Sequence, residues 1–105
     1  MGSGKMMAAV LLIGAAATLA ACESESRGAK LFRQGECIQC HTINGKGGAV
    51  GPNLSSVGGR RSRDWIVAQI KKPSSHNPDT AMPSFAGRLS DQDINDLADY
   101  LSKLN

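Results

Sequence analysis

Apolar positions divide this 105-residue chain into an uninterrupted apolar stretch near the N-terminus and an amphipathic remainder. In the remainder, helical spacing is clearest near the C-terminus, where the apolar positions are Ile94, Leu97, Ala98, Leu101 and Leu104. Ser90 stands before this run as an N-cap, and Asp93 lies three residues later, as in a capping box. The pattern therefore predicts a C-terminal helix that begins after Ser90.

Two further helices are predicted upstream. Ser26 is a suitable N-cap for a helix from Arg27 to about Gln34, and the stretch SRDWIVAQIKK, residues 62–72, suits a helix that ends before Pro73. A glycine-rich segment separates the two, and a long loop, residues 73–89, follows the second. No strand-like alternation stands out, so the predicted fold class is all-α with three to four helices.

The apolar N-terminal stretch has the features of an export signal. After Lys5, residues 6–21 carry no charge and end in small residues, and they are fewer than the roughly 17–25 that a membrane-spanning helix needs. Leu19-Ala20-Ala21-Cys22 resembles a bacterial lipobox, which predicts cleavage before Cys22 and lipidation of that cysteine. There are two alternatives. One is an ordinary signal-peptidase site, with no role for Cys22 in processing, and the other is an uncleaved membrane anchor.

These features predict three parts: a lipoprotein signal peptide at 1–21, a tether at 22–26 and a domain at 27–105. The expected location is the periplasmic side of a bacterial membrane, reached by export and held by the lipid anchor. Beyond the signal the chain has eleven basic and nine acidic side chains. This balance, without a basic stripe that includes aromatic residues, argues against a nucleic-acid partner.

Cys37-Ile-Gln-Cys40-His41 is the strongest chemical motif in the chain. C-x-x-C-H is the attachment motif of c-type haem: two thiols at this spacing can add to two vinyl groups, and the next residue offers an imidazole to the iron. A domain of about 80 residues with so few aromatic side chains usually needs a cofactor, metal or disulfide for stability. The motif therefore predicts one covalently attached haem c.

Three other uses of these residues compete with haem attachment. A thioredoxin-like dithiol would need a βαβ pattern, which the sequence does not show. A zinc ion could be bound by Cys37, Cys40, His41 and His76. However, the side chains of the adjacent Cys40 and His41 would not easily point toward one tetrahedral metal ion. A structural disulfide across so small a loop would contribute little stability.

The sixth ligand of a haem iron would come from Met82 or His76. Met82 is the only methionine after the predicted signal, it lies in the long loop, and Pro83 keeps its backbone extended. His76 lies in the polar turn SSHNPD, which favours a solvated side chain. A lone loop methionine is otherwise often a space-filling core residue.

The chain resembles the small bacterial class I cytochromes c over residues 27–104. The matching motifs are Cys37-Ile-Gln-Cys40-His41, Gly51-Pro52-Asn53-Leu54, Met82-Pro83 and Tyr100-Leu101. The resemblance implies that the Pro52 carbonyl accepts the second imidazole proton of His41 and that Leu54 contacts the haem. It also implies that Arg60 and Trp65 face the haem propionates, and that Gly28 and Phe32 cross the last helix near Leu97 and Tyr100. For the three neighbouring arginines, a solvated basic surface is the alternative.

The resulting hypothesis is a membrane-tethered one-electron carrier with His41 and Met82 as axial ligands and with redox proteins as partners. It is not expected to be an enzyme, because two protein ligands leave no open position on iron. A haem-based gas or peroxide sensor or enzyme with a displaceable Met82 is one alternative. A cytochrome subunit of a respiratory complex is another.

Overall fold

The computed structural model describes residues 24–105, and the fold of this part is all-α, as predicted. Its α-helices are α1 (Arg27–Gln34), α2 (Cys37–Cys40), α3 (Arg63–Lys71) and α4 (Asp91–Ser102). A small hairpin, β1 (Thr42–Ile43) with β2 (Lys46–Gly47), and 3-10 turns at Val57–Gly59 and Pro73–Ser75 complete the described elements. The predicted signal and Cys22 lie outside the described residues. Within residues 24–105, no helix combines the length and the hydrophobicity that a membrane span requires.

Serine side chains start the three longer helices at the predicted positions. Ser26 Oγ accepts a hydrogen bond from the Ala29 amide at 3.1 Å, and Ser62 Oγ accepts one from the Trp65 amide at the same distance. Ser90 Oγ accepts one from the Asp93 amide at 3.0 Å. Each cap satisfies one of the amides that the first turn of a helix leaves unpaired. The predicted starts of these three helices are confirmed.

Helices α1 and α4 cross at a point where α1 has no side chain. A Cβ atom on Gly28 would overlap the Asp96 carbonyl oxygen and would lie 2.6 Å from Tyr100 Cβ. One turn later, the rings of Phe32 and Tyr100 pack at a centroid distance of 6.5 Å with an interplanar angle of 55°. The contact implied by the resemblance is therefore present.

The core lies between α4 and the two helices packed on it. Ile94 and Ala98 are fully buried, and Leu97 is 1% exposed. Phe32 of α1 and both Ile66 and Ile70 of α3 belong to the same apolar cluster. This arrangement holds α1 and α3 on α4, which leaves the connections between them to form the functional site.

Acidic residues of α4 pair with arginines of the other two helices. Arg27 of α1 contacts Asp93 at 2.6 Å and Asp96 at 2.8 Å, and Arg63 of α3 contacts Asp99 at 2.6 Å. Arg63 lies on the exposed surface, as the solvated alternative expected, and there it is paired with Asp99. These pairs are partly exposed to solvent, so each contributes little to stability.

The glycine-rich segment after α2 contains more regular structure than its composition suggests. Thr42 pairs with Gly47 and Ile43 with Lys46 in an antiparallel hairpin. The connecting residues Asn44 and Gly45 both have positive φ, 51° and 80°. Two positive φ angles are what a type I′ turn requires, and Asn-Gly is the strongest short signal for it. The sequence therefore carried a hairpin signal that the overall glycine content obscured.

Candidate functional site

Helix α2 presents the two thiols of the cysteine motif. Cys37 and Cys40 lie three residues apart in one helical turn, a spacing that places side chains on the same face. Both are free thiols; Cys37 is partly buried and Cys40 is exposed. Burial raises the pKa of the Cys37 thiol, so this group is neutral near pH 7. The two cysteines therefore form no disulfide in this structure, unlike the structural-disulfide alternative.

His41 ends α2, and the following loop folds back onto its ring. Its Nδ1 lies 2.8 Å from the Pro52 carbonyl oxygen. A carbonyl oxygen can only accept, so Nδ1 carries the proton and Nε2 keeps its lone pair. Two backbone hydrogen bonds hold the loop to α2, from the Gly48 amide to the Ile38 carbonyl at 2.8 Å and from the Gly51 amide to the Cys40 carbonyl at 2.7 Å.

Gly51 allows the loop to approach the imidazole face. A Cβ atom at this position would lie 2.6 Å from His41 Cε1 and 2.8 Å from Nδ1, which is too close for a real carbon contact. The absence of a side chain therefore lets the Pro52 carbonyl reach Nδ1. This fixes both the tautomer of the ring and its orientation.

Met82 lies partly buried in the loop after α3, packed against the apolar core. The loop is fastened to the end of α3 by the Phe85 amide, which donates to the Ile70 carbonyl at 3.0 Å. Ser84 Oγ also donates to the Lys71 carbonyl at 2.5 Å. At the thioether itself, Gln69 Nε2 lies 3.4 Å from Met82 Sδ. The methionine therefore has a fixed backbone and a polar contact at its sulfur.

Of the other predicted site residues, Leu54 and Arg60 lie near the His41 loop. Leu54 is partly buried against the core, and its amide donates to the Thr42 carbonyl at 2.8 Å. Arg60 donates to the Asn53 carbonyl at 3.0 Å. Arg60 is thus tied to the backbone next to Pro52.

The Trp65 ring contacts a guanidinium and an imidazole. The Arg61 guanidinium is 4.3 Å from the indole centroid, and the His76 ring is 4.2 Å from it with an interplanar angle of 4°. The contacts of Trp65 are therefore with Arg61 and His76, and its predicted role at a propionate stays a prediction.

Gln69 and the ordered position of His76 were not predicted from the sequence. His76 is exposed, as expected, but its Nδ1 lies 2.7 Å from Gln69 Oε1 and its ring stacks on Trp65. Helical spacing could have indicated that Trp65 and Gln69, four residues apart, share a face of α3. It could not indicate which loop residues would cover that face.

Comparison with known proteins gives the family. The cytochrome c family profile matches residues 25–105. The chain belongs to the cytochrome c family. Cytochrome c of Theileria parva is 39% identical over 99 residues, which span 74% of this chain and 84% of that protein. Cytochrome c6 of Parathermosynechococcus lividus is 35% identical over 80 residues, 72% of this chain and 85% of that one. A nitric oxide reductase subunit of Stutzerimonas stutzeri is 32% identical over 88 residues, 75% of this chain and 57% of that polypeptide.

As a member of this family, the protein is an electron carrier whose cofactor is covalently attached haem c. The residues in this structure fit that group. Two free thiols stand one turn apart, and the adjacent imidazole has Nδ1 engaged and Nε2 available. Such a donor set suits a porphyrin bound through thioethers and one axial nitrogen. The predicted cofactor is confirmed.

Proposed function

We propose that this protein is a membrane-tethered one-electron carrier with one haem attached through Cys37 and Cys40 and with His41 and Met82 as axial ligands. The observation that carries the proposal is the hydrogen bond of 2.8 Å between His41 Nδ1 and the Pro52 carbonyl. It leaves Nε2 as the available donor and orients the ring, which is the preparation a metal-binding histidine needs. When bound, haem c supplies a one-electron couple between ferric and ferrous iron.

Met82 is supported as the second axial ligand by its position and chemistry. It is the only methionine beyond residue 21, and it lies partly buried in a loop fastened to α3. A thioether favours ferrous iron more than a second imidazole would, so His/Met ligation raises the reduction potential. With two protein ligands, the iron has no open position for a substrate, which favours a carrier over an enzyme.

Four other residues are proposed to contact the cofactor. Pro52 orients His41 through its carbonyl, and Leu54 offers an apolar contact from the same segment. Arg60 and Trp65 are proposed to face the propionates, since a guanidinium and an indole N–H both donate hydrogen bonds to carboxylates. The tie between Arg60 and the Asn53 carbonyl supports this role by keeping the guanidinium beside the Pro52 segment.

The tether is proposed from the sequence at the N-terminus. Signal cleavage after residue 21 and lipidation of Cys22 would leave residues 22–26 as a short link to the domain at 27–105. The family match beginning at residue 25 is compatible with this division. The protein would then lie on the periplasmic side of a bacterial membrane and exchange electrons with redox proteins there.

The test of the carrier proposal is the axial ligand. The ferric protein is expected to show the weak near-infrared sulfur-to-iron band, and the reduced protein should resist carbon monoxide. Met82→Ala should abolish the band, open the iron to carbon monoxide and lower the potential, while acid–acetone extraction leaves the haem on the polypeptide. Met82→His should restore six-coordination at a lower potential, since imidazole favours ferric iron more than sulfur does.

A wild-type protein that lacks the band and binds carbon monoxide readily would contradict the proposal and favour a gas or peroxide sensor or enzyme. Haem that is extracted into the organic phase would contradict attachment through Cys37 and Cys40. These two results are independent, because one reports the sixth ligand and the other the thioethers.

A second candidate is a cytochrome polypeptide within a respiratory complex. The similarity to the nitric oxide reductase polypeptide of Stutzerimonas stutzeri favours it, at 32% identity over 75% of this chain. A carrier should leave the membrane as a single small protein after mild detergent extraction. Stable co-purification with a larger membrane enzyme in stoichiometric amounts would support the second candidate instead.

A further inference from the structure

The turn between β1 and β2 consists of Asn44 and Gly45, and Asn44 is the only asparagine in the chain that precedes a glycine. Both residues are exposed, and a Cβ atom on Gly45 would meet nothing within 4 Å. We propose that Asn44 is a site of spontaneous deamidation, and that the hairpin limits the rate by holding the turn in an unreactive conformation. This inference does not depend on the axial ligands or on the membrane tether.

Deamidation at this pair is a ring closure followed by hydrolysis. The backbone nitrogen of Gly45 attacks the side-chain carbonyl carbon of Asn44, which forms a new carbon–nitrogen bond and closes a succinimide ring. The bond from that carbon to Nδ2 breaks, and Nδ2 leaves as ammonia with the proton lost by the Gly45 nitrogen. Water then opens the ring at either carbonyl and gives aspartate or isoaspartate. Glycine favours the first step because it has no side chain beside the attacking nitrogen.

The conformation of the turn opposes ring closure. Asn44 and Gly45 have φ angles of 51° and 80°, the two positive values of a type I′ turn. The first central residue of such a turn has a ψ of about 30°, which places the next nitrogen on the side of the Cα–C bond away from Cβ. Ring closure needs this nitrogen on the same side as Cβ, at a ψ of roughly −120°, as in a type II′ turn. The peptide between the two residues must therefore flip before the attack.

Two features of the fold resist this flip. The paired strands β1 and β2 hold the residues on both sides of the turn. In addition, the Asn44 amide donates a hydrogen bond to Ser55 Oγ at 2.8 Å, which fixes the residue whose ψ must change. The reactive conformation is therefore reached only when the turn opens locally. The rate of deamidation should follow the population of the opened turn, because opening and closing are fast relative to the chemical step.

The other asparagines within the domain serve as internal comparisons. Asn77 precedes a proline, whose nitrogen has no proton to lose. Asn53 precedes Leu54, whose side chain hinders attack and whose amide already donates to a backbone carbonyl at 2.8 Å. Asn95 lies within α4, where the backbone is held in the helical conformation. Asn44 is therefore expected to react before these three.

The experiment incubates holo-protein at mildly alkaline pH, folded in buffer and unfolded in denaturant. Peptide mapping by chromatography and mass spectrometry follows aspartate and isoaspartate at each asparagine with time. Ser55→Ala removes the acceptor of the Asn44 amide. Ser56→Ala is the matched control, because Ser56 is exposed and its side chain makes no capping hydrogen bond. Asn44→Gly removes the reacting amide and keeps a residue suited to positive φ.

In the unfolded protein, Asn44 should be modified faster than any other asparagine. In the folded wild type it should again be modified first, but more slowly than in the unfolded chain. Ser55→Ala should accelerate the reaction of the folded protein about fivefold, the change in opened population expected for one lost hydrogen bond. Ser56→Ala should leave the rate unchanged, and Asn44→Gly should give no product at this position.

Two kinds of result would contradict the proposal. If another asparagine reacts first in the unfolded protein, the assignment of Asn44 as the deamidation site is overturned. Equal rates in the folded and unfolded protein, or equal rates for Ser55→Ala and Ser56→Ala, would overturn control by the turn. The comparison of folded with unfolded wild type keeps the test decisive if Ser55→Ala folds poorly. These measurements are independent of the tests on Met82, so either proposal can fail while the other stands.

Discussion

Replacing Gly28 with alanine changes the stability of the protein through two opposing effects, helix propensity and steric overlap. Alanine is a better helix former than glycine by about 1 kcal/mol, so propensity alone would make the variant more stable. The new Cβ, however, would overlap the Asp96 carbonyl oxygen and would lie 2.6 Å from Tyr100 Cβ. Both neighbours belong to the backbone or the first side-chain carbon of α4, so neither can rotate away. Overpacking of this kind costs roughly 1–3 kcal/mol, and contacts this short justify the upper end.

The expected net effect of Gly28→Ala is a loss of about 2 kcal/mol, which for a domain of this size lowers Tm by about 8–16 °C. Thermal unfolding of the holo-protein, followed by far-ultraviolet circular dichroism, measures it. Gly87→Ala is the matched control, because a Cβ atom there meets nothing within 4 Å, and it should change stability by less than about 0.5 kcal/mol. A Gly28→Ala protein with a Tm equal to or above that of the wild type would refute the close approach of α1 and α4.

Two further predictions concern the imidazole and the anchor. Gly51→Ala should destabilise the holo-protein by about 1–3 kcal/mol, because its Cβ would meet the His41 ring at 2.6 Å, while Gly59→Ala, whose nearest contact would be 3.7 Å, should not. Equal Tm values for the two variants, from the haem absorbance, would contradict this account of the loop. Cys22→Ser should release the domain from membranes with an unchanged absorption spectrum, and fractionation followed by spectroscopy checks it. Retention of the variant in the membrane fraction would instead indicate an uncleaved apolar anchor.

Local signals made the three longer helices predictable. Ser26, Ser62 and Ser90 each cap a helix through an amide only three residues away, so the information lies within one turn of sequence. The Asn44-Gly45 turn is equally local, but it stands among many glycines that argued for irregular structure. The hairpin was not predicted because a two-residue signal is weak against the composition of the whole segment.

Contacts at larger sequence separation depended on the resemblance or were not predicted. The approach of Gly28 to α4 and the bond between His41 and Pro52 were implied by family motifs rather than by spacing. No family motif implied the ion pair of Arg63 with Asp99, which joins residues 36 positions apart in the sequence. Charge type alone does not select one partner among several acids on the same helix.

The two sides of the site differ in how far sequence determines them. His41 is oriented by a backbone carbonyl, which any residue at position 52 would supply once the loop closes. Met82 instead contacts the side chain of Gln69, which also contacts His76 of the same loop. The cysteine motif therefore indicates the first side directly, whereas the second depends on how a long loop meets one face of α3.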